Sequence, residues 1–282
     1  MVVSGKEHFV KPERLPKYFG IDVDDTLHTE NSEAFERNTE AFAKVREKGY
    51  VPFICTARSF DFAFRMLGKE FVEKTGYKGY PGVYNNGAIV YNDEGVLINA
   101  VNFTKEFIHK FLKCIEEGFV TSKCIFFTKG PCYSLIEIDD LWKDYLASRG
   151  LSVPDVRTAE EISEMDIVAI SINSKNVEIP YYIEGVDYNK KLAKADWLYT
   201  LNPSGVTKAS GVTKFLEHYD IPADNFGFIG DGYNDIEIMS MAGISFAIGN
   251  APNEVKEHAQ WVLNKTCDDG GVAEALKLVY DL

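Results

Sequence analysis

Short apolar runs alternate with amphipathic helical patterns at both ends of this 282-residue chain. The N-terminal part predicts a strand over Tyr18–Val23, a helix over Glu33–Lys48, a strand over Val51–Thr56 and a helix over Phe60–Lys74. The C-terminal part continues with helix Thr207–Tyr219, strand Phe226–Ile229, helix Asn234–Met241, strand Ile244–Ile248, a helix from Pro252, a strand near Trp261–Leu263 and a helix over Gly271–Leu282. This alternation predicts an α/β fold, in which helices cover both faces of a mostly parallel sheet.

The middle of the chain has a different pattern. The stretch "PGVYNNGAIVYNDEGVLINA" is typical of a hairpin, with turns at Asn85–Gly87 and Asp93–Gly95. After it come predicted helices and strands in mixed order: helices Thr104–Glu117 and Leu141–Arg149, and strands Lys123–Thr128, Cys132–Ile138, Ile167–Ile172 and one near Trp197–Leu201. We therefore predict that residues 1–86 and 203–282 form one domain and that residues 87–202 form an α+β insert.

Charge and composition exclude several classes of partner. The formal net charge is −13, whereas a nucleic-acid backbone or an anionic membrane surface requires a basic protein face. The five cysteines form no C-x-x-C pair and no zinc-ligand spacing, which favours free thiols in a reducing compartment. Residues 1–19 lack the apolar run of a signal peptide, and the longest uncharged stretch is broken by Gly and Pro. We expect a cytoplasmic protein with no nucleic-acid or membrane partner; the oligomeric state stays open.

Polar side chains follow several of the predicted strands at the point where each strand ends. In an open parallel sheet, the carboxyl ends of the strands meet at one edge, where ligands bind. We expect that edge to collect Asp22 and Asp24 after the first strand, Thr56, Ala57 and Arg58 after the second, Lys208 at the start of a later helix, and Asp231, Asn234 and Asp235 in "GDGYND". Only this fold would bring residues so distant in sequence together.

Several carboxylates at one edge repel each other unless a cation lies among them. Mg²⁺ prefers oxygen ligands and commonly keeps water and a substrate phosphate in its shell. The ammonium group of Lys208 and the hydroxyl of Thr56 would add hydrogen bonds to phosphate oxygens. A carboxylate beside such a phosphate can attack it. In extended chain Asp22 and Asp24 point the same way, so one can attack while the other moves protons.

The chain resembles the haloacid dehalogenase superfamily of phosphohydrolases, and within it the Cof-type, sugar-phosphatase-like branch with a large α/β cap. Four motifs of the family stand in order, as "DVDDT", "TAR", Lys208 and "GDGYND". Two further stretches, "NNGAIVY" and "AIGNAPNEVKEHA", also match this branch. The resemblance covers nearly the whole chain from Tyr18 and implies a Rossmann-like core with the insert as a cap domain that selects the substrate.

Carried over residue by residue, the resemblance implies a phosphatase mechanism. Asp22 would be the nucleophile, and Asp24 would protonate the leaving alcohol and then activate water. Mg²⁺ would be held by Asp22, the backbone carbonyl of Asp24 and Asp231, with Asp235 as a further ligand or as support.

The phosphoryl group would be bound by residues of the other motifs, namely Thr56, Ala57, Lys208 and Asn234. Two positions depart from the family pattern, because Asp25 and Ala57 stand where Gly is usual. These departures concern how closely backbone amides approach the phosphate.

Other interpretations of the same motifs fit less well. A calcium loop would need an acid or Asn at Thr26 and Gly at Leu27, and a dinucleotide fingerprint would need Gly at Asp235. Asp231 and Asp235 could cap a helix. Cys55 is interpreted as buried packing and His28 as an exposed loop residue.

The expected function is hydrolysis of a small phosphomonoester. A phosphomutase needs arginines for a second phosphate, and only Arg149 and Arg157 follow Lys69. A non-catalytic phospho-ligand sensor remains a third hypothesis. The substrate itself stays open among hexose phosphates, nucleotides, flavin mononucleotide and pyridoxal phosphate.

Overall fold

A computed structural model describes residues 3–4, 9–148, 151–174, 177–192 and 197–282. The strands of these residues are, in chain order, β1 (Val3–Ser4), β2 (Tyr18–Ile21), β3 (Val51–Cys55), β4 (Gly82–Tyr84), β5 (Ile89–Tyr91), β6 (Leu97–Ala100), β7 (Cys124–Phe127), β8 (Cys132–Ser134), β9 (Asp155–Val156), β10 (Ala169–Asn173), β11 (Tyr188–Leu192), β12 (Leu198–Pro203), β13 (Phe226–Gly230), β14 (Ile244–Ala247) and β15 (Trp261–Val262). The helices are α1 (Ser32–Glu47), α2 (Phe60–Thr75), α3 (Lys105–Glu116), α4 (Asp140–Ala147), α5 (Ala159–Ser163), α6 (Lys208–His218), α7 (Ile236–Met241), α8 (Asn253–Lys256) and α9 (Gly271–Tyr280).

The chain divides into two compact units. The first consists of Met1–Ala57, Leu67–Ile98 and Thr207–Leu282, and the second of Arg58–Met66 and Asn99–Val206. The expected insert at residues 87–202 differs from the second unit at its first boundary, because β5 pairs with β4 and extends the sheet of the first unit. The second unit also includes Arg58–Met66, a segment that the sequence placed with the core.

The first unit is built on a nine-stranded sheet in the order β1-β15-β14-β13-β2-β3-β4-β5-β6. The neighbouring strands from β1 through β4 pair in parallel, and β5 pairs antiparallel with β4. Helices cover both faces: on β2, the Tyr18 ring packs on Phe215 of α6, whereas the next residue, Phe19, packs on Tyr280 of α9. The predicted α/β class with a mostly parallel sheet and two helical layers is confirmed.

Local sequence explains where the first helix begins. The side chain of Asn31 accepts a hydrogen bond from the backbone N–H of Ala34, which caps α1. From there Ala41, Phe42 and Val45 recur at helical spacing and are buried. The helix therefore begins at Ser32, one residue before the predicted start.

The second unit has a six-stranded sheet in the order β11-β12-β10-β7-β8-β9. Its apolar core includes Phe107, Ile108 and Phe111 of α3, packed with Phe126 of β7 and Ile170 of β10. The sequence did not predict β9, β11 or α5. The last residue of the predicted helix Leu141–Arg149 lies outside the described residues. The spacing of apolar residues did not signal β11, since its sequence "YNKKL" is mostly polar.

Two further features bear on the fold. In α2, Gly68 has φ 78 and ψ 167, which interrupts the helix that the sequence predicts to be continuous. Within the described ranges, no helix combines the length and the apolar character that crossing a bilayer requires.

We expect Gly243→Ala to destabilise the first unit. A Cβ at this position, between α7 and β14, would lie 1.9 Å from the backbone carbonyl oxygen of Asp224, so the backbone must shift. Overpacking of this kind costs about 1–3 kcal/mol. The matched control is Gly130→Ala, where a Cβ meets nothing within 4 Å and the expected change is below about 0.5 kcal/mol. Urea denaturation of the two variants checks this, and equal stabilities would contradict the close approach.

Candidate active site

Asp22 follows β2 directly and is anchored by its backbone. Its N–H donates to the carbonyl of Ile229 in β13 at 3.0 Å, and its carbonyl accepts from Leu27 N at 3.1 Å. The chain turns sharply between these points, and Asp25 has φ 53 there. Asp enters this left-handed region more readily than most residues, so the Asp that replaces the usual Gly is compatible with the turn.

Lys208 is the first residue of α6 and lies between two carboxylates. Its Nζ is 2.6 Å from Asp22 Oδ1 and 2.6 Å from Asp235 Oδ1. All three side chains are buried, and that of Lys208 is fully so. A cation at a helix N-terminus opposes the helix dipole. The two ion pairs, rather than any local preference, therefore hold Lys208 in this place.

Burial and charge shift the pKa values of this group. Burial raises the pKa of the Asp22 carboxyl well above its ordinary value; Lys208 opposes this, whereas the carboxylates of Asp235, Asp231 and Asp24 add to it. Burial alone would lower the pKa of the Lys208 ammonium, but Asp22 and Asp235 raise it above its ordinary value. Burial first, and the neighbouring carboxylates second, make Asp22 hard to ionise, so a further cation beside it would favour its carboxylate form.

The loop after β13 places Asp231 and Asp235 beside each other. Asp235 Oδ2 accepts from the backbone N–H groups of Asp231 at 3.1 Å and Gly232 at 2.9 Å. A Cβ on Gly230 would lie 2.3 Å from the same oxygen, so any larger residue here would displace the Asp235 carboxylate. Asp235 thus orders its own loop and also pairs with Lys208, which goes beyond the capping role considered from sequence.

Three of the predicted metal ligands come together. Asp22, Asp231 and Asp235 are buried, and each offers a carboxylate oxygen such that the three oxygens lie within 4.8 Å of one another. All the donors are oxygens, and the three carboxylates carry more charge than Lys208 neutralises, so the group fits a hard metal cation. The carboxylate of Asp24 is outside this triad, although Asp24 is the third residue of the same turn. The resemblance assigns only its backbone carbonyl to the metal.

The predicted phosphate-binding residues lie on neighbouring segments of the first unit. Thr56, at the end of β3, is fully buried, and its N–H donates to Val83 O at 2.9 Å. Ala57 follows it and is exposed. Asn234, half-buried, donates from Nδ2 to Asn86 Oδ1 at 3.0 Å. Their binding of phosphate stays a prediction.

Sequence reasoning missed three residues that contact the predicted site. The hydroxyl of Thr26 donates to Asp231 Oδ1 at 3.1 Å. Asn250 Nδ2 donates to Asp25 O at 2.9 Å and contacts Asp231 Oδ2 at 3.5 Å. Asn86 accepts from Asn234, as described above. All three residues lie inside stretches that match the family, so the sequence marked their segments. It did not indicate which side chain each residue contacts.

The sequence analysis assigned no catalytic or binding role to Cys55 and His28. The Cys55 thiol is fully buried and its pKa is raised, chiefly by burial, so it stays in the unreactive thiol form. The interpretation of Cys55 as packing is therefore confirmed. The His28 ring is half-buried and lies 5.2 Å from the ring of Phe35, so its expected exposure was only partly correct.

We expect Lys208→Met to lower the free energy of unfolding by about 3–5 kcal/mol, because it leaves two buried carboxylates without their cation. The matched control on the same helix is Lys214→Met, since Lys214 is exposed and pairs only at the surface with Glu217. Its expected effect is below about 0.5 kcal/mol. Chemical denaturation in the presence of a chelator, at neutral pH, checks both. Similar losses for the two variants would show that the buried pairs contribute no more than a surface pair.

Comparison with known sequences agrees with this geometry. A family model described as haloacid dehalogenase-like hydrolase matches residues 19–276. An Arabidopsis thaliana protein named endoribonuclease YBEY, chloroplastic, is 28% identical over 92% of this chain. The chain spans only 46% of that protein's length, so the name describes a much larger molecule. The Bacillus subtilis 5-amino-6-(5-phospho-D-ribitylamino)uracil phosphatase YitU is 23% identical over 96% of this chain and 100% of its own length.

Solved structures share the fold. A Plasmodium vivax protein, provisionally named as a HAD/COF-like hydrolase, superposes with a TM-score of 0.81 at 25% identity, covering 95% of this chain and 97% of its own. The family model spans nearly the whole chain, and the buried triad with its lysine lies within it. The chain belongs to the haloacid dehalogenase-like hydrolases, in their Cof-type branch.

Proposed function

We propose that this protein is a Mg²⁺-dependent phosphatase that hydrolyses a small phosphomonoester through an aspartyl-phosphate intermediate. The observation that carries the proposal is the position of Lys208 between Asp22 and Asp235, with Asp231 completing a buried triad. Membership of a hydrolase family with phosphatase-named relatives supports it.

Two carboxyl groups perform the chemistry in two steps. In the first, a carboxylate oxygen of Asp22 forms a bond to phosphorus while the bond from phosphorus to the alcohol oxygen breaks, and Asp24 gives its proton to that oxygen. In the second, Asp24 takes a proton from water, whose oxygen attacks phosphorus and displaces the Asp22 carboxylate. Inorganic phosphate leaves, and both carboxyl groups return to their starting forms.

The other site residues bind and orient the phosphoryl group. Lys208 offers positive charge beside Asp22, and the hydroxyl of Thr56 and the amide of Asn234 offer hydrogen bonds. Ala57 would contribute its backbone. A Mg²⁺ ion held by Asp22, the carbonyl of Asp24, Asp231 and Asp235 would neutralise phosphate charge when bound.

The residues around the phosphoryl group do not distinguish one phosphomonoester from another, so another part of the chain must select the substrate. We propose that the second unit, which corresponds to most of the predicted insert, selects the alcohol part of the substrate. The name of YitU places a phosphorylated ribitylamino compound among the candidates, beside sugar phosphates. A mutase is less favoured, because a second phosphate is usually held by arginines and only Arg149 and Arg157 follow Lys69 in the sequence.

We expect Asp22→Asn to abolish phosphate release, because the amide is a poor nucleophile and cannot share the charge of Lys208. The measurement is release of inorganic phosphate from a panel of sugar phosphates, nucleotides, flavin mononucleotide and pyridoxal phosphate, with Mg²⁺ and with chelator. The control is Asp140→Asn, whose carboxylate is exposed on α4. If wild-type protein that binds Mg²⁺ releases no phosphate from any compound, a sensor role replaces this proposal.

We expect Asp24→Asn to lower turnover by about 10²–10⁴-fold, the usual contribution of a general acid and base. With 4-nitrophenyl phosphate the leaving group needs no proton, so the first step should survive while the second is blocked. The variant should then release about one equivalent of nitrophenol in a burst and retain phosphate on the protein. Rapid mixing and mass measurement of the intact protein check this. Slow release without a burst would assign the main role of Asp24 to the first step instead.

A further inference from the structure

The turn between β4 and β5, Asn85–Gly87, has an uncommon backbone. The φ angles are 49 at Asn85, 55 at Asn86 and 98 at Gly87, so three consecutive residues are left-handed. Gly adopts this region freely and Asn enters it more readily than most residues, but three consecutive residues in it are uncommon. Both asparagines are also buried, at 3% and 4% exposure. A buried polar turn with this backbone needs surroundings that hold it in place.

Asn86 bonds to two of the segments that carry predicted phosphate-binding residues. Its N–H donates to the carbonyl of Thr56 at 3.1 Å. Its side-chain oxygen accepts from Nδ2 of Asn234 at 3.0 Å. The turn therefore connects the end of β3 with the loop after β13 through one residue.

The next residue of the turn packs against the third segment. A Cβ on Gly87 would lie 2.1 Å from the carbonyl oxygen of Thr207, and one on Gly211 would lie 2.5 Å from Cα of Gly87. Thr207 caps the helix whose first residue is Lys208. The same turn is thus in close contact with the part of α6 that places the buried lysine.

We propose that Asn86 is a positioning residue that acts through Asn234, an inference that rests on the proposed function. An asparagine amide has a donor end and an acceptor end. Because Asn86 Oδ1 accepts one N–H of the Asn234 amide, it fixes the rotation of that amide group. The remaining N–H of Asn234 Nδ2 then points in a defined direction. Without Asn86 the amide can rotate and present its oxygen, which repels a phosphoryl oxygen. The unusual turn then has a function, because it holds the acceptor oxygen of Asn86 at a fixed place beside the Thr56 segment.

The test is a double-mutant cycle between Asn86 and Asn234, with 4-nitrophenyl phosphate as substrate and Mg²⁺ present. Asn86→Gly removes the side chain and keeps a residue that accepts the left-handed backbone. We expect it to lower kcat/KM by about 10- to 100-fold, the loss that a small misplacement of a binding group causes. In an Asn234→Ala background the same change should alter kcat/KM by less than about twofold, because the group through which Asn86 acts is gone. Losses that multiply independently in the double variant would overturn the inference.

A second readout separates positioning from stability. We expect Asn86→Gly to raise the inhibition constant of inorganic phosphate in parallel with the loss in kcat/KM, whereas a merely structural role would change only the thermal midpoint. Asn85→Gly is the matched control, since it removes a neighbouring buried amide from the same backbone conformation. An equal rise in the phosphate constant for both variants would assign the effect to the turn as a whole and overturn the role of Asn86.

The outcomes for this inference and for the proposed function are distinct. If Asn86→Gly shows no thermal transition, Asn86→Ser, which is too short to hold the Asn234 amide, takes its place in the cycle with the same expected results. Wild-type protein that releases no phosphate overturns the proposed function and this inference with it. Active wild-type protein with independent effects at Asn86 and Asn234 overturns the inference alone.

Discussion

The ammonium of Lys208 lies 2.6 Å from a carboxylate oxygen of Asp22 and 2.6 Å from one of Asp235, in a place from which solvent is nearly excluded. Buried charges are costly unless they are paired with good geometry. Here the pairing also joins segments that are far apart in sequence: the end of β2, the start of α6 and the loop after β13. The two ion pairs therefore form only when the order of the strands and the position of α6 bring all three segments together.

The sheet order explains how the pairing is achieved. β2 lies between β13 and β3, so the residue that follows it, Asp22, is flanked by the segments that carry Asp231 and Thr56. Close approaches at glycine then bring the backbones near enough: Gly230 leaves room for the Asp235 carboxylate, and Gly87 leaves room for the carbonyl that precedes Lys208. The cluster of Asp22, Asp231, Asp235 and Lys208 has three carboxyl groups and one ammonium group, so its charge balance favours a bound cation.

Much of the fold and of the candidate site was predictable, and the exceptions have physical reasons. The long amphipathic helix α1 and the continuous apolar strand β3 begin and end within a residue or two of their predicted bounds. By contrast, α5 is only five residues long and is defined by a capping box at Thr158, and β11 is polar, so neither has a periodic signal. The hairpin strand β5 was predicted as hairpin material, but its membership of the first sheet depends on pairing with β4, which a local pattern does not report.

The sequence by itself determined the class of fold and which charged residues are candidates for the site. Strand–helix alternation and ordered motifs are local patterns, and a single sequence is enough to recognise them. It did not determine which of those residues touch. Tertiary structure decided that Lys208 pairs with Asp22 and Asp235, that Thr26 donates to Asp231, and that Asn234 donates to Asn86. The reason is that each of these contacts joins side chains from segments far apart in the sequence, and only the packing of the sheet and its helices sets the distances between them.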